Sequence, residues 1–106
     1  MENSIVRHVL VARFREGTSC DLICEFFARF RELSTKIDGI VSFEYGENNS
    51  TEGLTRGMTH VIIVTFSNLQ ARDAYLPHPE HRKFIAWFSP LNILEELLVL
   101  DYIPQN

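Results

Sequence analysis

Tyr75-Leu76-Pro77-His78-Pro79-Glu80-His81 sets two prolines around one histidine and places a second histidine three residues further on. A proline drives the residue before it toward extended backbone, so Leu76 and His78 are expected to be extended. Pro79 suits the first position of a new helix, where its missing N–H is no loss. His78 then becomes the helix cap, and His81 falls in the first turn. From His81 the apolar residues recur at Phe84, Ile85 and Phe88, one buried helical face. His81 is therefore expected to point inward. Tyr75, just before the break, is a second polar group within reach of the same space. The stretch divides a short helix, about Leu69 to Tyr75, from another, Pro79 to Phe88.

Upstream of it, Met58 to Phe66 is dense in β-branched residues and reads as a strand. His60, Ile62, Val64 and Phe66 share one face; Val61, Ile63 and Thr65 share the other. Ile5 to Phe14 reads the same way, with Val6, His8, Leu10, Ala12 and Phe14 on one side. Thr18, with Asp21 three residues later, resembles a capping box. The helix that follows runs to about Lys36, with an apolar stripe of Leu22, Ile23, Phe26, Phe27, Phe30, Leu33 and Ile37. Such a stripe is core packing in its plain reading, and a cavity lining in the other. Ile40 to Tyr45 forms a further strand, with Val41, Phe43 and Tyr45 on one face. Residues 46–57 are polar, hold three glycines and form a solvated loop, long enough to hint at a lid or an interface arm. Downstream, Leu91 to Glu96 reads as a helical turn and Leu97 to Tyr102 as the last strand.

The order is strand, helix, strand, strand, short helices, strand. It is that of an α+β, ferredoxin-like split β-α-β fold, a four-stranded antiparallel sheet with helices on one face. One domain is expected over residues 1–106. The strands are apolar on both sides, as Val9, Val11, Val61, Ile63 and the run Leu97 to Leu100 show. The helices shield only one side, and an open apolar sheet exceeds what monomers usually tolerate. A second copy of the sheet is the simplest cover, so a homodimer packed sheet to sheet is expected.

Composition narrows the function. Apolar residues make up 45% of the 106 residues and charged residues 23%, the balance of a soluble globular chain. A net charge of −4 with scattered lysines and arginines argues against nucleic acid as a partner. No apolar run approaches membrane-span length, and Arg7, His8 and Arg13 interrupt any signal-peptide core. Cys20 and Cys24 lie four apart on one helix and are not placed to staple distant segments, which suits a reducing, cytoplasmic setting. His8, His60, His78 and His81 match no established metal-ligand spacing, so neither a metal nor another cofactor is expected.

The segments RHVLVARFREGTS (7–19), SFEYGENNS (42–50), GLTRGMTHVIIVTF (53–66), DAYLPHPEHRKF (73–84) and ELLVLDY (96–102) together resemble the stress-responsive dimeric α/β-barrel (Dabb) family. The resemblance covers about residues 6 to 102 and implies the ferredoxin-like homodimer, a dimeric α/β barrel. Most members it points to have no assigned role, and some are linked to stress tolerance. One branch, similar to the plant olivetolic acid cyclase, folds a linear poly-β-keto chain by aldol condensation. The cyclase pattern carries its acid–base pair over to His81 and Tyr75, and further pocket positions to His8 and His60. His78 matches a position that shapes the turn. Phe30 stands where the cyclase has a tyrosine, and the stretch from Ser89 to Ile93 is about two residues longer than in the cyclase.

Two functions follow. The first is a homodimeric protein that binds a small apolar or aromatic ligand, in a stress-related setting. The second is a cofactor-free polyketide cyclase or lyase. Aldol chemistry needs a base for a proton between two carbonyls, which suits His81, and a donor for the enolate oxygen, which suits Tyr75. The pocket expected from the strand and helix faces is lined by His8, Leu10, His60 and Ile62 from the sheet. The helices add Phe26, Phe27, Phe30 and Phe84.

Overall fold

A computed structural model describes residues 4–106. Of the domain expected over 1–106, residues 1–3 lie outside this range. The elements in chain order are β1 (Val6–Phe14), α1 (Cys20–Lys36), β2 (Ile40–Glu47), β3 (His60–Phe66), α2 (Leu69–Tyr75), α3 (Pro79–Phe88), a 3-10 turn (Ser89–Leu91) and β4 (Leu94–Tyr102). The four strands form one sheet in the order β2-β3-β1-β4, with every pairing antiparallel. This is the ferredoxin-like arrangement expected from the order of elements.

The alternation of β1 and β3 decides which side the helices cover. Val6, Ala12 and Phe14 of β1 and Ile62, Val64 and Phe66 of β3 are buried beneath them. On α1 the aromatic stripe closes the layer, with Phe26, Phe27, Phe30 and Leu33 all buried. Each such side chain contributes about 1.5–3 kcal/mol on leaving water. A helix cap contributes about 1 kcal/mol. The stripe therefore holds α1 in place far more than its ends do.

The cap of α1 is Ser19, whose hydroxyl accepts from the Leu22 N–H at 3.1 Å. Thr18, expected in that role, instead donates its hydroxyl to the Arg15 carbonyl at 2.6 Å and closes the preceding turn. In β2 the pairing register with β3 shifts between Ile40 and Ser42. The shift turns Val41 outward, 58% exposed, while Ile40 and Phe43 pack against the core, so Val41 does not share a face with Phe43. The expected helical turn over 91–96 is also absent. One 3-10 turn ends at Asn92 in the left-handed conformation, φ 54°, and β4 starts at Leu94, three residues earlier than read. Arg15 fixes this corner, its Nε donating to the Asn92 carbonyl at 2.9 Å and its main-chain N–H to the Ile93 carbonyl at 2.7 Å.

The Pro-His-Pro stretch turns in an unexpected place. His78 is extended (φ −59°, ψ 136°) and caps α3 by accepting the Glu80 N–H on Nδ1 at 3.0 Å. Leu76 is helical (φ −57°, ψ −47°), not extended. The preference before proline is a bias, and here the His78 N–H to Tyr75 carbonyl bond, 3.0 Å, holds the tighter turn. That turn leaves the Leu76 carbonyl facing the first turn of α3.

On the far side of the sheet residues of the 48–58 loop border Val11 and Val61, and among the described residues no helix covers this face. Val9, Val11, Val61 and Ile63 are only half-buried, and Leu98, Leu100 and Tyr102 are 48%, 57% and 48% exposed.

Candidate functional site

Between the sheet and the helices lies a cavity of about 200 Å³. The sheet contributes His8, Leu10 and Ile62, α1 contributes Phe26 and Phe30, and the helices after β3 contribute Tyr75, His81 and Phe84. Eight of the ten side chains read as site residues thus converge. Leu76, Ile85, Phe88 and Leu94 also line it, and Leu97 and Val99 of β4 form its half-exposed wall.

His60 and Phe27 are not among them. The sheet register gives the reason. His8 pairs with Val64, whereas His60 pairs with Ala12, four residues along β1. At about 3.3 Å per residue the two imidazoles sit roughly 13 Å apart along the strand. His60 is buried instead among Phe14 and Phe27, with ring centroids at 5.0 and 5.3 Å, and Phe27 stacks flat on Tyr45 at 3.9 Å. Thr59 donates its hydroxyl to the Ala12 carbonyl at 3.2 Å, so it accepts from His60 Nδ1 at 2.9 Å. Burial lowers the pKa of His60, against the opposing pull of Glu47.

At the polar end of the cavity, Tyr75 closes α2 and is only 1% exposed. The ring of His81 stacks on it with centroids 4.1 Å apart, and the ring of His8 meets it edge-on at 5.8 Å. Burial pushes the Tyr75 hydroxyl far above the ordinary phenol range, so it is a neutral hydrogen-bond donor at physiological pH. Among the described residues its hydroxyl makes no hydrogen bond.

His81 Nδ1 lies 3.0 Å from the Leu76 carbonyl. A carbonyl only accepts, so Nδ1 carries the proton and Nε2 of the neutral ring is left with its lone pair. Burial lowers the pKa of His81 most, and the neighbouring His8 and His78 add to this, while the Leu76 carbonyl opposes it. The neutral, basic form is favoured.

Asp101 is the polar neighbour that sequence reading missed. Its Oδ1 lies 2.7 Å from His8 Nδ1, and its Oδ2 accepts from Arg72 Nη1 at 2.8 Å. Burial by itself would raise its pKa, but the bonds from Arg72 and His8 outweigh burial and hold the carboxyl below its ordinary value. In the sequence Asp101 is one acid after an apolar run. Only the β1–β4 register, which pairs it with His8, reveals the contact. Among the described residues no three His, Cys, Asp or Glu side chains are grouped to hold a metal ion, and no helix is long and apolar enough to cross a membrane.

The protein-family model described as Stress responsive A/B Barrel Domain matches residues 6–104. Over 101 residues the chain is 36% identical to the stress-response A/B barrel domain-containing protein HS1 of Arabidopsis thaliana, spanning 95% of this chain and 91% of that protein. It is 27% identical over 101 residues to olivetolic acid cyclase of Cannabis sativa, spanning 95% and 98%. A crystal structure of an Arabidopsis thaliana protein superposes with a TM-score of 0.88 at 36% identity, covering 95% of this chain and 96% of that one. The hydroxynitrile lyase from Passiflora edulis also reaches 0.88, at 24% identity over 98% and 96%, a likeness of fold.

Proposed function

The chain belongs to the stress-responsive A/B barrel domain family, and from that premise we propose that it is a homodimer whose cavity takes a small molecule with an apolar or aromatic body and a polar end. One observation carries the reading: an apolar cavity of about 200 Å³ has three polar rings, His8, Tyr75 and His81, in its lining. An apolar cavity of about 150 Å³ already accepts benzene, so one substituted ring fits here. The half-exposed wall of Leu97 and Val99 leaves room for a substituent to extend. The uncovered outer face, with Leu98, Leu100 and Tyr102, is the surface for the second copy.

Titration of isotope-labelled protein with p-cresol tests the ligand reading. Saturable shifts of the His8, Tyr75 and His81 ring signals are expected. Leu10→Trp fills the cavity from a partly open wall position and abolishes them. Shifts that persist in that variant, or their absence from the wild type, would overturn the reading.

A second reading, a cofactor-free cyclase or lyase, is favoured by the bare Nε2 of His81 beside a neutral Tyr75 hydroxyl. His81 Nε2 takes the proton from a carbon between two carbonyls, and Tyr75 donates a hydrogen bond to the enolate oxygen. The enolate carbon then attacks a carbonyl further along the same chain, and His81 returns the proton to the new alkoxide. The name of the cyclase relative is consistent with such chemistry. His81→Ala is expected to lower turnover of a linear poly-β-ketoacyl thioester by about 10²–10⁴-fold, the usual contribution of a general base. Unchanged turnover in that variant would remove His81 from the base role.

A further inference from the structure

Arg72 lies three residues before Tyr75 on α2, on the same side of the helix. Its Nη1 reaches β4 and donates to Asp101 Oδ2 at 2.8 Å, while its Nε donates to Asp73 at 2.8 Å. Asp101 in turn accepts from His8 at 2.7 Å on its other oxygen. A carboxylate has no proton to give, so the shared proton sits on His8 Nδ1. His8 lines the cavity, and its remaining nitrogen, Nε2, is the one free to meet a ligand.

We propose that Arg72 is a positioning residue for the cavity, acting through Asp101 to hold His8 as the Nδ1–H tautomer with Nε2 available to the ligand. The inference rests on the reading of the cavity as a ligand site. It also narrows the ligand class. In the neutral rings, His8 and His81 both present an accepting Nε2, and both rings touch that of Tyr75, His81 stacked at 4.1 Å and His8 edge-on at 5.8 Å. The favoured occupant therefore carries hydroxyl donors, as a phenol or an enol does, and an oxygen that accepts from Tyr75. The Arg72 and Asp101 side chains are 22% and 24% exposed. Partly solvated ion pairs contribute little to stability, so orientation of His8 is the larger consequence of this chain of contacts.

The test is the proton position on each imidazole, read from long-range ¹H–¹⁵N correlation spectra of the ligand-free full chain. The variants are Arg72→Gln, Arg72→Lys and, as a control on the other Arg72 partner, Asp73→Asn. In the wild type and in Asp73→Asn, His8 is expected to hold its proton on Nδ1. In Arg72→Gln its signals average between tautomers while those of His81 stay as they were, and Arg72→Lys restores them. Affinity for p-cresol falls by roughly 3–10-fold in Arg72→Gln, the value of one weakened hydrogen bond. A His8 pattern unchanged in Arg72→Gln would overturn the proposal. So would His8 and His81 changing together with no rescue by lysine, which would mark a loosened helix. If His8 follows Arg72 but p-cresol fails to bind the wild type, the positioning role stands and the ligand reading falls.

Discussion

His81 donates its Nδ1 proton to the main-chain carbonyl of Leu76, five residues earlier, across 3.0 Å. The bond depends on the helical backbone of Leu76, and it decides which nitrogen of His81 faces the cavity. It also sets the response to pH. Burial lowers the pKa of both His81 and His60 in the fold. As pH falls through the ordinary imidazole value of about 6.5, the unfolded chain takes up protons that the folded chain resists. Stability is therefore expected to fall from about pH 6.5 down to the lowered folded values. Asp101, whose pKa is depressed, adds a separate loss in the carboxylate range below about pH 4. Thermal melts across pH 3–8 check both windows; a melting temperature that rises on acidification from pH 7 to 5.5 would contradict the first.

Tyr75→Phe keeps the ring packed on Phe66 and under His81 while removing a hydroxyl with no hydrogen bond among the described residues. Stability is expected to change by less than about 1 kcal/mol, since no satisfied bond is lost. Turnover under the cyclase reading falls by about 10²–10³-fold, the cost of one oxyanion donor. Tyr75→Ala, which empties a buried site, is expected to cost about 3–5 kcal/mol. Denaturant unfolding beside activity separates the two effects.

Gly39 adopts φ +95°, and a Cβ built there meets the Cβ of Ala71 at 2.5 Å. Gly39→Ala therefore strains the backbone and pushes on α2, the helix that carries both Arg72 and Tyr75. A loss of more than about 1 kcal/mol is expected, beyond the usual range for a tolerated glycine replacement. The Tyr75 and His8 ring signals are expected to shift with it. Unperturbed stability and spectra would show that α2 is not seated against Gly39 in this way.

Leu98 and Leu100 stand on the uncovered outer face, at 48% and 57% exposure. Leu100→Asp puts a charge on the outer face of the edge strand β4, within the proposed dimer contact, where an unpaired buried charge is strongly unfavourable. Sedimentation at micromolar concentration is expected to show a dimer for the wild type and a monomer or aggregate for the variant. A stable wild-type monomer would remove the sheet-to-sheet assembly from the account.

Much of this was legible in local pattern. Two-residue alternation assigned His8, Leu10 and Ile62 to the helix-covered face, and the Phe26-Phe27-Phe30 stripe marked the buried side of α1. What pattern does not carry is register. His8 and His60 share a face by alternation, yet the pairing of His60 with Ala12 sets it four residues along β1 from His8, beside Phe27 rather than Tyr75. Asp101 was illegible for the same cause, since its bond to His8 exists only through the β1–β4 pairing. Val41 was misplaced by the register shift at the start of β2. Thr18 and Ser19 are adjacent hydroxyls that can both cap a helix, and in the fold Thr18 is taken up by the preceding turn while Ser19 caps α1.

The most direct measurement is the set of intermolecular proton contacts between bound p-cresol and the chain. The account predicts contacts from the cresol ring and methyl group to Ile62, Phe84 and Val99, with the hydroxyl end nearest His81. Contacts confined to Val9, Val61 and Ile63, on the outer face of the sheet, would contradict it.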